Sequence, residues 1–375
     1  MATTRLRLLV GIGLLVLAVV VTVLVALPGG AAHPGAGPGA ATGPGAAARR
    51  PATRAVTSSA HLRPSGEPVP ASTAHPRGTP SSVAGSTVTA PPGWVVTVHH
   101  LASGGLDRLY LLARPDSTSP SAPTAGSLPV LIVLHGRMMA PAAMMAQSQF
   151  LDEVGPAIVV FPAGFDLSWN AGYCCGGAHA AGVDDVAFLQ AVVAQVLAQQ
   201  AGASPGHVYL AGFSNGGRMA YRVACDSPGL FAGVAAVEAV SVSACALTTP
   251  VPLLIVAQTG DPLLSVVPGE PPAHIEGHTE TTVGAEVADW RGLDGCGPAA
   301  VTATFGDLST QSWNQCHGEG RVEEAIYGGG AHTWFHGCQG TPSAQALVWS
   351  FFHEAAPTVS AAGPSCGGSR HARVA

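Results

Sequence analysis

The sequence predicts a single α/β domain with a mostly parallel central sheet flanked by helices. Two observations carry this. Strand-length runs recur at Val208-Tyr209-Leu210-Ala211, at residues 251–257 and at residues 321–327, and residues 216–225 can continue as a helix after the first of them. Each run also leads to a polar residue on a glycine-bearing turn, namely Ser214, Asp261 and His332. Open α/β sheets deliver functional groups at such strand ends.

Along the chain, the amino terminus reads as a targeting segment. Arg5 and Arg7 precede an apolar stretch over residues 8–27 that closes at Pro28-Gly29-Gly30-Ala31-Ala32. Its length exceeds the roughly 7 to 15 residues of a secretory core and suffices to cross a bilayer as a helix. Residues 1–27 are therefore a cleaved signal peptide or a membrane anchor; in both cases the rest is exported. No cysteine precedes Cys174, which excludes lipid attachment at an amino-terminal cysteine. Residues 28–92 are rich in Ala, Pro, Gly, Ser and Thr and hold too few large apolar side chains to offset chain entropy, so they read as a disordered linker. The folded domain is expected over residues 93–356, with a short polar tail over 357–375. A net charge of −6 with scattered arginines provides no basic stripe, which argues against nucleic acid as a partner.

Within the domain, Gly212-Phe213-Ser214-Asn215-Gly216 is a G-x-S-x-G pentapeptide set between a strand and a helix. A tight strand-to-helix turn that pushes a serine oxygen outward leaves room only for small residues two before and two after it. Asp261 follows the strand at 251–257, and His332 lies on the glycine-rich loop after 321–327. The chain order Ser214, Asp261, His332 is that of the α/β-hydrolase fold, with serine as nucleophile, histidine as base and aspartate as its orienting acid.

Several blocks extend the pattern: Leu134-His135-Gly136, Trp169-Asn170-Ala171-Gly172-Tyr173-Cys174-Cys175-Gly176, Gly182-Val183-Asp184-Asp185-Val186, Ser214-Asn215-Gly216-Gly217 and Gly329-Gly330-Ala331-His332-Thr333-Trp334. In this order, over roughly residues 93 to 340, they resemble the secreted esterase family of polyhydroxybutyrate depolymerases and the related feruloyl and acetylxylan esterases. The resemblance implies hydrolysis of carboxylic esters by Ser214, Asp261 and His332 without a cofactor. It also implies an oxyanion hole made by the backbone N–H groups of Asn215 and Arg137. The chain departs from the family at Arg137, where a cysteine or small residue is usual. It departs again at Gln258-Thr259-Gly260-Asp261, where Gly-Thr-Ala-Asp is usual, and at Phe335-His336, where a proline is usual. These positions fall on loops expected to border the pocket.

Trp169 and Trp334 stand among motif residues and glycines and are expected to line the substrate pocket. His135 is expected to border it while supporting the oxyanion loop. Asp184, Asp185 and Asp226 are rival acids, but the first two precede the serine and suit the start of a helix over 186–193. The four-residue spacings of His274 with His278 and His332 with His336 lack the glutamate of H-E-x-x-H, so no metal is expected. Eight cysteines in an exported chain suggest disulfides. Cys296 and Cys316 flank a short polar segment and are expected to pair; Cys174 and Cys175 are expected to pair with Cys225 and Cys245 in either order, leaving Cys338 for Cys366. A peptidase on the same fold lacks room here for an added propeller or cap. A catalytically silent wall-binding protein has no need of a complete triad.

Overall fold

A computed structural model describes residues 88–117 and 128–359. The expected targeting segment, most of the linker and most of the tail lie outside the described residues. Among the described residues, no helix is long and apolar enough to cross a membrane.

The fold begins with an antiparallel pair, β1 (Trp94–Ser103) and β2 (Leu106–Pro115). Next come β3 (Leu128–Leu134), helices α1 (Pro141–Ser148) and α2 (Phe150–Glu153), and β4 (Ile158–Pro162). A long loop carrying α3 (Gly176–Ala180) leads to α4 (Asp185–Gln199), β5 (Ala203–Phe213), α5 (Asn215–Asp226), β6 (Gly233–Val237) and β7 (Leu253–Gln258). A small hairpin of β8 (His274–Ile275) and β9 (His278–Thr279) precedes α6 (Val283–Leu293). The last elements are β10 (Val301–Phe305), β11 (Leu308–Trp313), β12 (Val322–Tyr327) and α7 (Ala344–Phe352).

Ten strands form one sheet in the order β1-β2-β4-β3-β5-β6-β7-β12-β11-β10. The central run from β4 to β12 is parallel throughout. Each edge carries two strands paired antiparallel. Helices cover both faces, so β4, β6 and β7 are buried along their whole length and read as continuous apolar runs. The two-residue alternation of strand side chains divides the core. Ile132, Leu210, Ala236 and Ile255 cluster with side chains of α4, α5 and α6, whereas Leu131, Ala211, Ala235 and Leu254 cluster with those of α1 and α7.

Parallel direction has a functional consequence: the C-terminal ends of β3, β5, β6, β7 and β12 gather at one edge of the sheet. The loops leaving them begin at His135, Ser214, Glu238, Thr259 and Gly328.

Asp184 caps α4 by accepting from Ala187 N at 2.9 Å. Asp185 does more than begin the helix: it is buried, accepts from Arg108 at 2.8 Å and from Asn170 N at 2.8 Å, and so ties α4 to β2 and to the loop behind the site. Asp226, at the end of α5, pairs with Arg222 one turn earlier.

Cys296 pairs with Cys316 as expected. The cross-pairing expected for Cys174 and Cys175 is corrected: they bond to each other, and Cys225 bonds to Cys245. Cys174 lies 3.4 Å from the Arg218 guanidinium, which stands seven residues before Cys225 on the same helix. Cys245 returns after β6 to within 5.3 Å, Cα to Cα, of Cys225. Cys338 is disulfide-bonded; its expected partner Cys366 lies outside the described residues.

Candidate active site

Ser214 is the single residue between the end of β5 and the start of α5, with φ 54° and ψ −120°. Non-glycine residues rarely hold a positive φ, and holding one costs of order 1–3 kcal/mol. The surroundings enforce it. A side chain at Gly212 would strike the Gly216 carbonyl, and one at Gly216 would lie 2.5 Å from the Leu134 carbonyl oxygen and 2.6 Å from that of His135. Ser214 N also donates to Val237 O at 2.9 Å, fixing the turn to the end of β6.

The loop after β3 lies against this turn. A Cβ at Gly136 would stand 2.9 Å from the Phe213 ring and 3.5 Å from Ser214 Cβ, so the Gly136-Arg137 peptide passes beside the serine. His135 holds the loop from beneath. Its Nε2 accepts from Gly164 N at 2.9 Å, which leaves the ring proton on Nδ1 to donate to Gly136 O at 2.8 Å. Burial pushes its pKa down to about 4, so the ring stays neutral. Asn215, itself buried, accepts from Trp169 N at 2.7 Å and donates to Trp169 O at 3.0 Å. Trp169 Nε1 donates to His135 O at 2.9 Å.

His332 joins serine to acid. Its Nε2 lies 2.7 Å from Ser214 Oγ, and its Nδ1 lies 2.7 Å from Asp261 Oδ2. Burial alone would raise the Asp261 pKa; hydrogen bonds from His332, Glu238 and Leu263 N, with the charge of His332, outweigh it and hold the carboxyl below its ordinary value. The loops carrying Asp261 and His332 interlock. Gly260 N donates to Gly329 O at 2.8 Å, Gly329 N donates to Thr259 Oγ1 at 2.7 Å, and a side chain at Gly260 would strike Gly330 O. Gln258 Nε2 lies 2.7 Å from both Ala331 O and Thr333 O, the carbonyls on either side of His332. Its third contact, at 3.0 Å, is Glu238 Oε1.

Gln258 and Glu238 were missed as site residues in the sequence. Gln258 stood out only as a departure from a family pattern. Glu238 had an available signal: it is an acid directly after the apolar run of residues 233–237, at a strand end.

The pocket expectations need correction. Trp169 and Trp334 are 0% and 2% exposed, so neither meets a substrate. Trp169 packs in the core under the loop after β3. Trp334 packs edge-on against Phe150 and Phe213 and donates to Gln345 at 3.0 Å. Small neighbours in the sequence do not mean open space; here the glycines let the backbone close over the rings. His135 is buried too.

The exposed surroundings are different residues. Met138, on the loop after β3, and Leu263, two residues after Asp261, are 79% and 41% exposed. Arg137 reaches Glu276, in the turn of the β8–β9 hairpin, at 2.6 Å, and His278 stacks on Tyr173 at 4.1 Å between ring centres. His274 faces Thr279 across the same hairpin at 3.2 Å. Beneath it, Glu280 and Arg218 form a buried two-fold pair at 2.5 and 2.6 Å, tying the segment to α5. A cleft of about 590 Å³ between β10–β12 and α7 contains none of these groups.

No family model matches the chain. NocK of Nocardia uniformis subsp. tsuyamanensis, named as a candidate esterase, is 31% identical over 260 residues, covering 64% of this chain and 74% of NocK. Feruloyl esterase B of Piromyces equi is 28% identical over 188 residues; the match takes in 47% of this chain and 34% of that enzyme. Among solved structures, an acetyl xylan esterase from Aspergillus awamori aligns with a TM-score of 0.46 at 15% identity, over 63% of this chain and 94% of that chain.

Proposed function

The chain belongs to the esterase family on the α/β-hydrolase fold, and from that premise we propose that Ser214, His332 and Asp261 hydrolyse carboxylic esters through an acyl-enzyme. The observation that carries this is the continuous hydrogen-bond chain from Ser214 Oγ through His332 to Asp261, with both links at 2.7 Å. His332 Nε2 takes the serine proton as Oγ attacks the ester carbonyl, while Asp261 holds the Nδ1 proton and stabilises the imidazolium. Backbone N–H groups of Asn215 and Arg137 receive the oxyanion, and loss of one such donor costs about two to three orders of magnitude in kcat. His332 returns the proton to the departing alcohol. It then deprotonates a water, which releases the acid and restores Ser214.

The proposed substrates are hydroxyalkanoate polyesters or their oligomers. The sequence blocks resembling polyhydroxybutyrate depolymerases support this, as do Met138 and Leu263, which offer apolar contact beside the catalytic groups. A feruloyl or acetyl ester is the second reading, favoured by the relative named feruloyl esterase B. The leader-like residues 8–27 and the disulfides support export, with the catalytic domain free or tethered at the outer membrane face.

Rates of the full chain on 4-nitrophenyl butyrate, methyl ferulate and hydroxybutyrate oligomers, beside Ser214→Ala, test this reading. Fastest turnover of the oligomers, abolished in the variant, is the expected result. Preference for methyl ferulate would replace the first substrate class by the second, and a folded protein inactive on all three would point to a silent binding role.

A further inference from the structure

Glu238 takes no part in the mechanism above, yet it lies at its centre. It follows β6 directly, is 1% exposed, and holds φ 51°, a conformation that is strained for any residue with a side chain. Its carboxyl lies with those of Asp261 and the His332 ring in a cluster whose closest atoms are all within 4.8 Å of one another. Glu238 Oε1 accepts from Gln258 Nε2 at 3.0 Å, whereas Oε2 is buried and, among the described residues, meets no N–H or hydroxyl donor. The group it does face is the Asp261 carboxyl, an oxygen of which lies within 4.8 Å.

Two buried carboxyls in contact hold together only if one keeps a proton. Asp261 has a cationic partner during catalysis and two N–H donors, from His332 and Leu263, each at 2.7 Å. Glu238 has only Gln258 as a donor, through its side-chain amide and its backbone N–H, and no arginine partner among the described residues. The proton therefore belongs on Glu238 Oε2, the atom that otherwise lacks a partner.

We propose that Glu238 is a neutral carboxylic acid that donates a hydrogen bond to Asp261 and so acts as a positioning residue for the catalytic acid. The proposal rests on the reading of Ser214, His332 and Asp261 as the triad. Through Gln258, Glu238 also shares one amide with the carbonyls that flank His332, so acid and base are aligned by one polar group of four side chains. Burial, followed by the contact with Asp261, pushes the Glu238 pKa up to about 10, in keeping with a proton retained at neutral pH. The titratable groups facing this cluster are Asp261 and His332, Tyr327 at the end of β12, and Glu280, which acts on His332 through space. Both ring nitrogens of His332 are engaged, by Ser214 and by Asp261, which fits a hydrogen-bonded relay.

The test combines kinetics of the full chain with infrared spectroscopy of the resting enzyme. Glu238→Leu removes the donor; it is expected to lower kcat by about 10- to 100-fold with little change in KM, and to move the acid limb of the pH profile upward, because Asp261 loses a group that spreads its charge. Glu238→Gln supplies a neutral donor of the same shape and is expected to recover at least about tenfold of that kcat and to return the acid limb to its original place. A downward move of the limb in Glu238→Gln would show that an ionised Glu238 had been supporting His332, and would overturn the proposal. So would a Glu238→Leu enzyme with unchanged kcat and profile. If Glu238→Leu fails to fold, the infrared readout still decides. A carboxylic-acid C=O band at pH 8, present in the parent and absent in Glu238→Gln, supports the proposal, and its absence in the parent overturns it. Ser214→Ala reports on the triad reading alone, so the two ideas fail separately.

Discussion

The two sides of the site are held in place by different means. On the Ser214 side, at the ends of β3 and β5, the turn itself is set by close packing on glycines: Gly212 and Gly216 lie against backbone carbonyls and Gly136 against the Phe213 ring, with His135 and Asn215 bracing the loops from behind. On the acid and base side, at the ends of β6, β7 and β12, position is set by side chains: Gln258, Glu238, Asp261 and His332 satisfy one another. A scaffold of close backbone contacts tolerates no added atom, while a polar network tolerates changes of volume but not the loss of a partner.

The largest expected effect separates the sides. Gly216→Ala puts a methyl group within 2.6 Å of two carbonyl oxygens and should cost about 3 kcal/mol of stability together with activity, read as a fall in Tm. Gln258→Ala, on the other side, should cost less stability, about 1–2 kcal/mol, yet lower kcat by about 100-fold because both carbonyls flanking His332 lose their shared donor. Equal effects on Tm and kcat in the two variants would erase the distinction.

The pH dependence of stability should differ in sign between the sides. His135, in the loop after β3, has a folded pKa of about 4 against 6.5 unfolded, so the unfolded chain binds the extra proton between those values. Its contribution, about 3 kcal/mol at most, is present above pH 6.5 and is lost as pH falls toward 4. Glu238 is shifted the other way. The folded protein retains a proton that the unfolded chain releases near 4.5, so its contribution is present below that pH and is lost as pH rises toward 10. Denaturation at a series of pH values, comparing the parent with Glu238→Gln, should show the alkaline loss reduced in the variant.

The smallest effect belongs to the exposed rim. Arg137→Gln breaks a half-exposed ion pair with Glu276 and should cost under about 1 kcal/mol, an effect that added salt removes. Because the role proposed for Arg137 uses only its backbone N–H, kcat on a small ester should hardly change.

The same contrast explains what the sequence discloses. Glycine constraints are local and leave a trace at fixed spacing, so the turn at Ser214, the loop at His135-Gly136 and the strand before each could be read without coordinates. The parallel sheet followed from the same runs. Glu238 and Gln258 work through partners 20 to 75 residues away, and no spacing rule links them. Trp169 and Trp334 misled for a related reason: their polar edges point to partners such as His135 O and Gln345, and only the folded chain shows those partners to be interior. The pairing of Cys225 with Cys245 likewise depended on where α5 ends relative to the loop after β6.

The central claim, that Ser214 attacks the ester, is tested most directly by mixing the full chain with 4-nitrophenyl butyrate and following nitrophenol in the first turnover, with the intact mass of acid-quenched protein measured alongside. The account predicts a burst approaching one nitrophenol per chain and a butyryl adduct on Ser214, both absent in Ser214→Ala. Turnover that persists in Ser214→Ala, or an adduct on another residue, would contradict it.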